Sequence, residues 1–124
     1  MANVSISIDV PNLDQAQAFY CSALGCTFLK NGSKGIRILD ADNIQIYLLE
    51  KAVGSIPFQG SNHPRSYDRH WSPIHLDFGT SDIDASIKLV ESNGGSVEGH
   101  DSGSWGSIAF CADPFGNGFC LIDE

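Results

Sequence analysis

Apolar and polar positions alternate strictly in two short stretches of the chain. Ile6, Ile8 and Val10 alternate with Ser5, Ser7 and Asp9; Ile74, Leu76 and Phe78 alternate with His75, Asp77 and Gly79. A period of two predicts a strand with one apolar and one polar face. The period then lengthens to helical spacing, through Leu13, Ala16, Tyr20 and Ala23 in one stretch and Ile83, Ile87 and Val90 in the other. Asn12 with Gln15, and Ser81 with Asp84, supply the N-terminal capping chemistry. Gly25 and the Asn93-Gly94-Gly95 run supply the left-handed stops. Three short strands follow each helix, over 26–30, 34–40 and 43–50, and over 96–100, 105–112 and 117–123. Turn residues at Asn31-Gly32, Asp40-Ala41-Asp42-Asn43, Ser102-Gly103 and Asp113-Pro114-Phe115-Gly116-Asn117 separate them. Each half reads βαβββ.

The halves are related by an internal repeat. A shift of 70 lays Ser5–Thr27 on His75–Val97 without a gap, with Leu13-Asp14 on Ile83-Asp84 and Gly25 on Gly95. A shift of 74 lays Asn43–Glu50 on Asn117–Glu124. These patterns predict one α+β domain of two modules, residues 1–50 and 71–124, joined by residues 51–70. The connection is rich in Gly, Pro, Ser and Asn, and reads equally as a plain linker or as a lid over a site.

Composition narrows the classes of function. A chain of 124 residues, 42% apolar and 18% charged, is expected to fold as one globular domain with a modest core. Its apolar runs are too short to span a bilayer. The opening MANVSISID has neither the basic start nor the apolar stretch of a cleaved leader, so a cytoplasmic address is expected. A net charge of -8 repels phosphate backbones and anionic lipid, which argues against nucleic-acid and membrane partners. The four cysteines, Cys21, Cys26, Cys111 and Cys120, are expected to be free and mostly buried. The spacing of Cys21 and Cys26 fits neither a zinc knuckle nor a redox pair.

A tandem βαβββ chain of this length, with an Ile74-His75-Leu76-Asp77 strand, a helix ending Asn93-Gly94-Gly95 and a DPFGNGFCLI ending, resembles the vicinal oxygen chelate superfamily. That group includes glyoxalase I, bleomycin-resistance proteins and extradiol dioxygenases, and the glyoxalase-like branch is the most similar. The resemblance covers nearly the whole chain. It implies two curled four-stranded sheets around a concave cavity with helices outside, and commonly a homodimer. Metal-dependent members draw four ligands, typically two His and two Glu, from the first and last strands of each module. Carried over, those positions fall on His75, on Ser5, on Cys120, and on Gln45 or Tyr47 depending on register. Losing two carboxylates removes the charge that holds a dication, so no cofactor is expected. The alternative is a divalent metal on His75 and Cys120, joined by Asp77 or His70.

The residues expected to meet a guest are Ser5, Ser7, Arg37, Gln45, Tyr47, Trp71, His75, Asp77, Trp105 and Cys120. Aromatic rings with a few polar tips are the usual lining of a small-molecule site. His75 is the candidate catalytic residue, because imidazole is the side chain suited to acid–base work near neutral pH; a structural histidine bonded to Asp77 is the plain alternative. A Ser-His-Asp set of Ser5 or Ser7 with His75 and Asp77 is discounted as a relay, since His75 and Asp77 stand only two residues apart on one strand. Two functions follow. One is a small-molecule-binding protein without the usual metal, whose acidic charge favours a cationic or neutral organic ligand. The other is an enzyme of the vicinal oxygen chelate type, a lyase, isomerase or dioxygenase, using His75 with or without a noncanonical metal.

Overall fold

A computed structural model describes residues 3–124 of the chain. Its elements run β1 (Ser5–Val10), α1 (Leu13–Leu24), β2 (Thr27–Asn31), β3 (Ile36–Asp40), β4 (Gln45–Glu50), β5 (Leu76–Thr80), α2 (Ile83–Ser92), β6 (Ser96–Gly103), β7 (Gly106–Ala112) and β8 (Gly118–Asp123). The order βαβββ therefore occurs twice, as the periodicity predicts. One sheet has the strand order β1-β4-β3-β2 and the other β5-β8-β7-β6. The first and last strands of each module pair in parallel and the remaining pairs are antiparallel. Both sheets are curled and open, and the chain divides into two compact units, one holding β1–β4 and the other β5–β8.

Local chemistry sets the helix ends. Asn12 accepts a hydrogen bond from the Gln15 amide at 2.8 Å and Gly25 closes α1 in the left-handed region at φ 72°, where a side chain would be strained. Ala16, Phe19, Tyr20 and Ala23 form the buried stripe of this helix. At α2 the cap is Asp82, one residue later than Ser81; its carboxylate accepts from the Ala85 amide at 3.1 Å. A carboxylate here also meets the positive end of the helix. The predicted stop holds, with Gly94 at φ 93° and the Gly95 amide bonded to Val90 at 2.9 Å. α2 contacts β6, β7 and β8 and buries Ile83 and Val90.

Strand register corrects one feature of the repeat. Ser7 pairs with Tyr47, and Asp77 pairs with Cys120. Asp77 lies 70 residues beyond Ser7, whereas Cys120 lies 73 beyond Tyr47, so the last strands are related by 73 and not 74. Burial agrees: Ile46 and Leu48 in β4 are buried, as are Phe119 and Leu121 in β8. Because side chains alternate, that single step decides which residues share a face. Tyr47, rather than Gln45, is thus the counterpart of Cys120.

A second correction concerns Ile74. It is 85% exposed and lies before β5 instead of packing under α2. The Ile74 amide donates to Ser72 Oγ at 3.2 Å, a local side-chain-to-backbone bond just ahead of the strand. Within residues 51–67, Gly54 and Ser55 pair with Arg65, and Arg65 Nε donates to Asp9 at 2.7 Å. Tyr67 donates to the Lys51 carbonyl at 2.8 Å. The connection is thus a loop pinned to β1, not a bare tether.

Candidate functional site

Alternation along β5, β8 and β7 sorts the second sheet into two faces. Leu76, Phe119, Leu121, Ala109 and Cys111 lie on one, with Phe78 edge-on to Phe119 at 5.7 Å. Asp77, Cys120 and Phe110 form a row across the other, through the pairings Asp77–Cys120 and Cys120–Phe110. His75 stands just before β5, at the edge of this row.

Three chemically active groups converge there. His75 Nδ1 is 3.2 Å from Asp77 Oδ1 and 3.8 Å from Cys120 Sγ. Ligand atoms of the three residues all lie within 4.8 Å of one another. The His75–Asp77 bond expected of a structural histidine therefore forms. The strand begins at Leu76, which frees His75 from the straight pleat that would hold two such residues side by side. Cys120 has no solvent exposure, and burial, followed by the Asp77 charge and a thiol bond to Asp77, pushes its thiol up to about 11. At neutral pH it is a protonated donor and a poor nucleophile. The His70 ring is turned to the Asp68 carbonyl, 2.9 Å away, and does not join the group.

An aromatic wall adjoins these groups. Trp71 packs edge-on to His75 at 5.9 Å and to Phe110 at 6.1 Å. Its indole Nε1 donates to Glu98 Oε1 at 3.0 Å, and the Arg69 guanidinium sits 4.6 Å from the ring centroid. Arg69 in turn grips Glu98 with two nitrogens and donates to the Gly116 carbonyl at 3.2 Å. Glu98 and Arg69 thus fix the indole from its edge and its face. A Cβ at Gly118 would stand 2.8 Å from the Trp71 ring, so glycine here lets the indole lie against β8. Gly118→Val is expected to dislodge the ring, with a red-shifted tryptophan emission and a loss of roughly 1–3 kcal/mol in unfolding free energy.

Glu98 also makes the wall sensitive to acid. Hydrogen bonding from Arg69 holds its carboxyl below the ordinary carboxylate value, with the Trp71 indole bond acting in the same direction. A carboxyl whose folded value is depressed favours folding above its unfolded value, and that contribution is lost as pH falls through the folded one. The Trp71 indole proton resonance is expected to titrate at a pH below the ordinary glutamate range, and Glu98→Gln should abolish that titration.

The remaining predicted residues occupy other places. Ser5, Gln45 and Tyr47 line an open depression of about 500 Å³ in the first module, with Asp40, Asp42 and Asn43. Ser7 lies on the same strand face, paired with Tyr47. Arg37 does not join them: it pairs with Leu48 on the opposite face and reaches α1, with Asp14 at 2.6 Å and Gln17 at 3.1 Å. Trp105 is 63% exposed at the β6–β7 hairpin, its ring against Gly103. That hairpin lies near the end of β8, whereas His75 lies near its start, so Trp105 is no part of the Trp71 wall.

Sequence reasoning missed Arg69, Glu98 and Phe110. Glu98 sits at a register shift between Val97 and Gly99, an extra residue in the strand. Such bulges re-aim a side chain, and the only sign of one in the sequence is a break in alternation at Gly99.

The vicinal oxygen chelate metal centre does not fit these residues. The four equivalent positions hold Ser5, Tyr47, His75 and Cys120, and the first-module pair offers only a neutral hydroxyl and a phenol.

Comparison with known proteins agrees with the fold. The solved fosfomycin resistance protein FosX of Listeria monocytogenes superposes with a TM-score of 0.75 at 14% identity, over 100% of this chain and 93% of that one. A lactoylglutathione lyase from Agrobacterium tumefaciens gives 0.66 at 16%, over 99% and 94%. A glyoxalase/bleomycin resistance protein from Albidiferax ferrireducens T118 gives 0.67 at 17%, over 97% and 96%. No curated protein sequence matches the chain. Among the described residues no helix is long and apolar enough to cross a membrane. The model of the glyoxalase-like domain matches residues 5–122, and the chain belongs to that family within the vicinal oxygen chelate superfamily.

Proposed function

We propose that the protein binds a small organic molecule on the open face of its second module. The observation that carries this reading is the Trp71 indole, held from two sides by Arg69 and Glu98 beside the His75–Asp77 pair. A fixed aromatic surface next to convergent polar groups is the pattern of a ligand site. Phe110 extends the apolar surface, and Asp77 supplies an anionic end. With a net charge of -8 the favoured guest is cationic or neutral. The protein acts in the cytoplasm as a homodimer, and light scattering is expected to give twice the chain mass of 13.3 kDa.

The test uses bleomycin as a cationic probe and fosfomycin as an anionic one, in chelator, with Trp105→Phe protein so that Trp71 alone reports. Saturable quenching by bleomycin, weakened by salt, supports the reading. Binding of fosfomycin alone under these conditions contradicts it. A second reading, a lyase or isomerase with His75 as acid–base, is favoured by the Asp77 contact, which orients the imidazole through Nδ1. Under it His75→Ala abolishes turnover; unchanged turnover removes it.

A further inference from the structure

We infer that His75, Asp77 and Cys120 form a binding site for a thiophilic divalent cation of the zinc type, contained wholly in the second module. This differs from the superfamily's centre in using a thiol, a carboxylate two residues beyond the histidine, and no first-module ligand. It goes beyond the guest-binding reading and stands independently of it.

Spacing is the first argument. Tetrahedral zinc with bonds of about 2.0–2.1 Å to N and O and about 2.3 Å to S sets its ligand atoms about 3.3 Å apart for N to O and about 3.5 Å for S to either. His75 Nδ1 lies 3.2 Å from Asp77 Oδ1 and 3.8 Å from Cys120 Sγ. Small rotations of exposed side chains therefore complete the geometry around an ion. The donor set is the second argument: imidazole, carboxylate and thiolate select zinc or cobalt over magnesium and calcium, which prefer oxygen alone.

Charge balance is the third. The Cys120 thiol gives up its proton to solvent as sulfur bonds to the metal, and the resulting thiolate and the Asp77 carboxylate cancel a dication's charge. Cys120 lies beneath the sheet face with no exposure, while His75 and Asp77 are exposed, so the fourth position opens toward solvent and a guest. A ligand entering it would bring an oxygen or nitrogen donor.

The test titrates the chelator-stripped, reduced full chain with cobalt(II) alone and then with zinc(II) alone. One cobalt per chain is expected, with intense tetrahedral ligand-field bands, a sulfur-to-cobalt charge-transfer band, and displacement of both by zinc. Cys120→Ser should lose the charge-transfer band. Asp77→Asn, at an exposed position that leaves the core untouched, should keep the band but bind at least about tenfold more weakly. Absence of the charge-transfer band in the native chain overturns the inference. So does an unchanged band in Cys120→Ser, or unchanged affinity in Asp77→Asn. Because no organic guest is present, failure here is separate from failure of guest binding in chelator.

Discussion

Trp71→Ala is expected to weaken binding of the organic guest at least about 30-fold, the loss typical of removing a central aromatic anchor. The indole beside the second sheet is held at its edge by Glu98 and over its face by Arg69. Removing it deprives the guest of its flat surface and takes from Glu98 the indole N–H, leaving Arg69 with Glu98 and the Gly116 carbonyl. Since the ring is 43% exposed, the cost to folding should be smaller, roughly 1–2 kcal/mol. Trp105→Ala is the matched control, a tryptophan at the hairpin with no link to the wall, and should leave affinity unchanged. Isothermal titration of both variants separates loss of a site from loss of an arbitrary tryptophan.

Asp113→Ala is expected to cost about 3 kcal/mol of unfolding free energy, or on the order of 10 °C in Tm for a domain of this size. Asp113 is 4% exposed, and its carboxylate accepts from the Phe115 amide at 2.8 Å, the Asn117 amide at 2.9 Å and the Asn117 side chain at 2.9 Å. Deleting it leaves two amides and a side-chain NH₂ short of an acceptor in a tight turn. The turn also carries the contacts that hold the preceding segment, Arg69 to Gly116 and the His70–Asn117 bridge. Thermal denaturation should therefore show a lower Tm, with Asp113→Asn intermediate because it keeps one carbonyl acceptor. Asp113 and Asn117 of the DPFGN run are thus engaged within the turn.

Most of the architecture is legible in the chain because it rests on local rules. Ser5–Val10 alternates, Asn12 caps, Gly25 stops, and the same order returns after Tyr67. The site is less legible because it depends on register and on where strands begin. A slip of one residue in overlaying β4 on β8 leaves Gln45 and Tyr47 undecided, and only the pairing of Ser7 with Tyr47 resolves it. Arg37 reads as a pocket residue until its pairing with Leu48 puts it on the α1 side. A bond between His75 and Asp77 is legible in the chain, but not that Cys120 of β8 joins them, which depends on the pairing of Asp77 with Cys120. Glu98 reaches Trp71 from a bulge, a feature that strand periodicity hides.

The most direct test of the account is to map the guest by ¹⁵N–¹H correlation spectra of the native chain during a bleomycin titration in chelator. The account predicts that the Trp71 indole and the amides of His75, Asp77, Phe110 and Cys120 shift together and saturate at one affinity. Saturable shifts confined to the Trp105 hairpin or to the first-module depression around Tyr47, with the Trp71 indole unmoved, would contradict it.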